Sequence, residues 1–78
     1  MGQFIVGIDI SKAYFDVHLM GEGESASGRF DNKNSGFKQL GNWLKKRKVE
    51  TLHASMEATG RYGDDLALWL HTQGFQVS

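Results

Sequence analysis

The sequence contains no cysteine, so it has no disulfide and no thiolate zinc site. That fits a reducing compartment. Proline is absent too, against ten glycines. Net charge is also missing: nine Lys and Arg balance nine Asp and Glu. A domain that grips nucleic acid alone is usually basic, so this balance argues against strong independent affinity for DNA or RNA. No apolar run is long enough to span a bilayer, and no charged-then-apolar leader opens the chain. The sequence therefore reads as soluble and cytoplasmic. The three histidines, His18, His53 and His71, have no metal-ligand spacing. There is no internal repeat. With 78 residues the chain makes one small domain at most. A domain of that size buries about 60–65% of the surface its unfolded chain exposes, so its core is marginal.

What is present is organised around Phe4-Ile5-Val6-Gly7-Ile8-Asp9-Ile10-Ser11-Lys12. Such a short β-branched apolar run reads as a central strand buried on both faces. An ionised carboxylate there is costly unless it is paired, hydrogen-bonded or metal-bound. Asp9 therefore calls for a partner.

Gln3 to Ile10 is predicted as the first strand, and Ser11-Lys12 as a turn. Ala13 to Met20 alternates, with Ala13, Phe15, Val17 and Leu19 on one face, which predicts an antiparallel hairpin with the first strand. Gly21 to Ser25 is a turn by composition, and Ala26 to Asp31 a third strand. Phe37, Leu40, Gly41 and Leu44 form a helical stripe, with Asn34 or Ser35 as N-cap. Lys45-Lys46-Arg47-Lys48 closes that helix, where cations suit the dipole. Thr51 to Met56, ending at Glu57, is a fourth strand, able to run parallel to the first through a crossover. A second helix covers about Gly60 or Arg61 to Gln73, with Thr59 as N-cap, Tyr62, Leu66, Trp69 and Leu70 as its apolar face, and Gly74 at C′. Phe75 to Ser78 begins a fifth strand. The order β-β-β-α-β-α-β resembles that of the ribonuclease-H-like fold, an α/β mixed sheet with strand order 3-2-1-4-5. That fold calls for one more helix after the fifth strand.

The first and fourth strands are then parallel neighbours, with Asp9 and Glu57 at their carboxyl ends. Adjacent strands lie about 4.8 Å apart, so the two carboxylates can converge. Two anions that close repel unless a cation sits between them. Mg²⁺ suits the position, because it binds through one or two carboxylates and keeps water or phosphate oxygens. One reading is a metal site for phosphoryl transfer on nucleic acid. The other has Asp9 capping a turn with Ser11 and Glu57 merely solvated. The pattern alone leaves these two level.

A resemblance weighs between them. Gly7-Ile8-Asp9-Ile10-Ser11-Lys12, Phe15-Asp16-Val17, Asn34-Ser35-Gly36-Phe37, Met56-Glu57-Ala58-Thr59-Gly60-Arg61-Tyr62 and Gly74-Phe75 resemble the amino-terminal domain of the DEDD transposases of insertion sequences. The group includes the pilin-gene inverting recombinases. The resemblance covers nearly the whole chain. It implies a RuvC-like fold, four acidic residues binding Mg²⁺ or Mn²⁺, DNA as substrate, and in some members a structured guide RNA. The first acid falls on Asp9 and the second on Glu57. The third and fourth lie further along the family's chain, as does a carboxy-terminal domain with a serine nucleophile. Residues 1–78 are thus expected to be a partial catalytic domain, inactive alone.

Other residues carry plainer alternatives. Asp16 could support Asp9 or simply be exposed. Lys12 and Arg61 could each touch a phosphate, Arg61 beside a helix amino terminus. Lys45, Lys46, Arg47 and Lys48 could contact nucleic acid, or only cap their helix. Trp43, Trp69 and Tyr62 read as packing residues. Two rival functions remain: a nucleotide-binding module of the actin and sugar-kinase type, and a non-catalytic assembly module. The first usually follows its Asp with a glycine-rich phosphate turn, and Ile10-Ser11-Lys12 has no glycine. The second rests on the short fifth strand, whose free edge invites pairing into a homo-oligomer.

Overall fold

The computed structural model describes residues 4–49, 51–58 and 61–78. Its elements are β1 (Phe4–Ile10), β2 (Tyr14–Gly21), β3 (Glu24–Asp31), α1 (Asn34–Lys46), β4 (Leu52–Ala58), α2 (Asp64–Thr72) and β5 (Gln76–Val77). The sheet order is β3-β2-β1-β4-β5, the order that the resemblance implies. β1 pairs antiparallel with β2 and parallel with β4. The crossover through α1 makes the parallel pair possible, since a tight turn cannot.

One expectation about β1 is overturned. Its burial alternates: Phe4, Val6, Ile8 and Ile10 are buried, while Ile5 and Asp9 are exposed. Both helices pack on the first face. Leu40 and Leu44 of α1 and Leu66 and Leu70 of α2 join Phe4, Val6, Ile8, Phe15, Val17 and Leu19 in one core. The tip of Trp69 lies against Gly41, so the helices also touch each other. Among the described residues nothing covers the other face, where Ile5 and Met20 stand 53% and 57% exposed. Asp9 lies on that open face, so the desolvation cost that first drew attention to it does not arise.

A row of aromatic rings ties the layers together. Trp43 meets Phe30 edge-on, Phe30 tilts on Phe15, Phe15 on Phe37, and Phe37 on Trp69, with centroids 5.6–6.2 Å apart. That spacing is the favoured range for aromatic pairs. Trp43 and Trp69 are packing residues, as expected.

Element ends differ in detail. The β2–β3 connection narrows to Glu22-Gly23, both with positive φ, the geometry of a two-residue hairpin turn. α1 begins at Asn34, so neither Asn34 nor Ser35 caps it; Lys33 stands at the N-cap without a side-chain bond. Just past α1, Lys48 takes the left-handed region at φ 56°, and Val49 N–H returns to the Leu44 carbonyl. α2 starts at Asp64, later than its apolar pattern suggests. Tyr62 falls in the preceding turn and is 45% exposed, so it is not a core residue. The Thr59 cap lies outside the described residues. Gly74 takes φ 91°, and Phe75 N–H bonds the Leu70 carbonyl, as a glycine stop predicts.

Candidate functional site

The parallel ladder between β1 and β4 sets Asp9 directly beside Glu57. The antiparallel ladder on the other side sets Asp9 beside Asp16, and β3 sets Arg29 beside Asp16. One transverse row therefore crosses four strands: Glu57, Asp9, Asp16, Arg29. Side chains at paired positions share a face, so all four stand on the open side of the sheet. Asp9 and Glu57 are exposed and one residue short of their strand ends. That is the carboxyl edge, where open α/β sheets bind ligands.

Asp16 is already engaged. Arg29 Nε donates to its Oδ1 at 2.7 Å, and Arg29 Nη2 to its Oδ2 at 3.3 Å. The guanidinium also lies over the Tyr14 ring, 4.0 Å from its centroid. The hydrogen bond from Arg29 chiefly holds the Asp16 carboxyl below its ordinary value; desolvation opposes it, and the positive charges of Arg29 and His18 add to it. Among the described residues no three His, Asp or Glu side chains converge on one point. Among the described residues, neither Asp9 nor Glu57 has a side-chain hydrogen-bond or ion-pair partner. Ser11 does not bond Asp9: its hydroxyl and its amide both donate to the Tyr14 carbonyl at 2.9 Å, closing the β1–β2 turn.

Two exposed carboxylates side by side, supplying only oxygen, fit a hard divalent cation that keeps most of its waters. They do not fit a softer metal, which wants nitrogen or sulfur.

The predicted cations divide into two groups. Lys12, in the β1–β2 turn, and Arg61, in the turn before α2, are exposed at the carboxylate end. Lys45, Lys46, Arg47 and Lys48 close α1 and lead into the amino end of β4. They sit about 20 Å from the pair, the length of a seven-residue strand. Arg47 is a packing residue, its guanidinium 4.1 Å from the Trp43 ring centroid and bonded to the Trp43 carbonyl at 3.3 Å. A cavity of about 490 Å³ lined by Leu19, Glu24, Ser25, Ala26, Lys46 and Arg47 also lies at that far end, away from the carboxylates.

The family model for DEDD transposases of the IS110 type, described as "Transposase", matches residues 6–78. The chain belongs to this transposase family. Two pilin gene-inverting proteins, from Moraxella bovis and Moraxella lacunata, are each 34% identical over 80 residues, covering 100% of this chain and 25% of their own length. The chain thus spans a quarter of the curated relatives it matches. Among solved structures, YeaZ from Pseudomonas aeruginosa superposes with a TM-score of 0.57 at 12% identity, over 96% of this chain and 44% of that one. At that identity the likeness shows a shared fold only.

Sequence reasoning missed Arg29 and Asn32. Arg29 was legible in principle: once the hairpin turn is placed at Glu22-Gly23, every cross-strand pair follows, Asp16 with Arg29 among them. Asn32 left no such signal. Its amide Nδ2 donates to the Ser11 carbonyl at 3.0 Å and to the Tyr62 carbonyl at 2.8 Å.

Proposed function

We propose that this transposase-family chain is the amino-terminal part of a RuvC-like, ribonuclease-H-like catalytic domain for DNA transposition or site-specific recombination. Asp9 and Glu57 are its metal ligands and catalytic carboxylates. The observation that supports this best is the β1–β4 register, which puts the two acids side by side at the carboxyl edge. Mg²⁺ or Mn²⁺ is the cofactor. When bound, it supplies charge neutralisation and Lewis acidity at a phosphate oxygen.

The chain's own residues do the rest. Asp9 and Glu57 orient what binds between them. Lys12 and Arg61, at the same end, offer cations to the flanking phosphates. Arg29 neutralises Asp16, so one carboxylate fewer repels the DNA backbone. In the parent protein, the substrate is DNA.

Two carboxylates hold one hydrated ion weakly and supply half of a two-metal clamp. The 78-residue chain alone is therefore expected neither to cut nor to join DNA. Mn²⁺ titration followed by NMR tests the site. Resonances of Asp9 and Glu57 should broaden first, and both Asp9→Asn and Glu57→Gln should weaken binding at least tenfold. Broadening centred elsewhere would sink the assignment. Incubation with supercoiled plasmid and Mg²⁺ or Mn²⁺ checks inactivity, and cutting that Asp9→Asn abolishes would overturn it.

A further inference from the structure

We propose that Asn32 is a positioning residue: it fixes the separation of the two loops that carry Lys12 and Arg61 around the carboxylate pair. The β1–β4 ladder stops at Ile10 and Ala58. Beyond it the chain enters the β1–β2 turn on one side and the approach to α2 on the other. Among the described residues, no backbone hydrogen bond joins these two segments. Asn32 does. Its side chain holds Ser11, the residue before Lys12, and Tyr62, the residue after Arg61. Its backbone N–H also donates to the Ala13 carbonyl at 3.0 Å, so the β1–β2 turn is held at two points.

Both side-chain partners are carbonyl oxygens. Only a primary amide, with two N–H donors on one nitrogen, serves both at this side-chain length. Aspartate has the same shape and no donor. Asn32 is half-buried, and its place is set from behind by α1. A Cβ on Gly36 would stand 1.8 Å from the Asp31 carbonyl oxygen, so only glycine lets the first turn of α1 press against the residue before Asn32. The clamp is therefore anchored to the core and reaches out to both loops. The proposal rests on the metal-site reading for its purpose, but the clamp itself is a property of the loops.

The test is backbone amide exchange by NMR on the 78-residue chain, with Asn32→Ala and Asn32→Asp. Exchange should rise at least tenfold at the hydrogen-bonded loop amides of Ser11 and Asp64 in both variants, while Val6, Ile8, Val17 and Leu40 keep wild-type rates. Unchanged loops overturn the clamp. An equal rise in loops and core also overturns it, since Asn32 would then be a general stabiliser. Mn²⁺ broadening on the wild-type sample separates the two readings. Its absence at Asp9 and Glu57 removes the metal site and leaves the exchange result to decide the clamp.

Discussion

Asp9 and Asp16 face each other across the β1–β2 ladder, and a guanidinium answers only one of them. The difference is one of position in the row, because Arg29 stands directly beside Asp16 and one strand further from Asp9. The Asp16 carboxyl titrates below its ordinary 3.8, first through the Arg29 hydrogen bond. A folded value below the unfolded one means the pair stabilises the fold above about pH 4 and loses that contribution as pH falls through the folded value. Being exposed, it is a small contribution. Arg29→Ala should move the Asp16 titration up toward the ordinary value, as read by carbon NMR of its carboxyl. An unmoved titration would mean that Arg29 is not the cause. The partner becomes legible only once the hairpin turn is placed at Glu22-Gly23, because the two residues are thirteen apart and meet through that register.

At the scale of elements, α1 was the most legible part of the chain. Phe37, Leu40 and Leu44 are buried as their spacing predicts. Its ends were not legible, because they depend on neighbours. Gly36 looks like a poor helix former whose replacement by alanine should help by about 1 kcal/mol. The structure reverses the sign, since a Cβ there meets the backbone of Asp31 at 1.8–2.9 Å. Gly36→Ala should destabilise by about 1–3 kcal/mol, as overpacking does, in urea unfolding followed by circular dichroism. A gain in stability would show that the first turn of α1 can move freely. α2 was legible only from Leu66 onward; its start follows the loop that Asn32 holds at Tyr62.

At the scale of the molecule, the core is one-sided. Phe15 is fully buried at the middle of the aromatic row, whereas Met20, on the same strand, faces open solvent. Phe15→Ala should cost about 3–5 kcal/mol, a large share of a small domain's stability. Met20→Ser should leave the thermal midpoint within about four degrees, since surface changes are worth at most about 0.5 kcal/mol. A large drop for Met20→Ser would mean the open face is covered in solution. Among the described residues no helix is long and apolar enough to cross a membrane. The sequence by itself determined the element order, the sheet order and the pairing of Asp9 with Glu57. Period-two and period-3.6 patterns are local, and the crossover rule leaves few ways to assemble them. Only the tertiary structure decided which face of β1 is open and that Asn32 ties the two loops beside the pair. Those facts depend on contacts between residues far apart in the chain, and no local pattern encodes them.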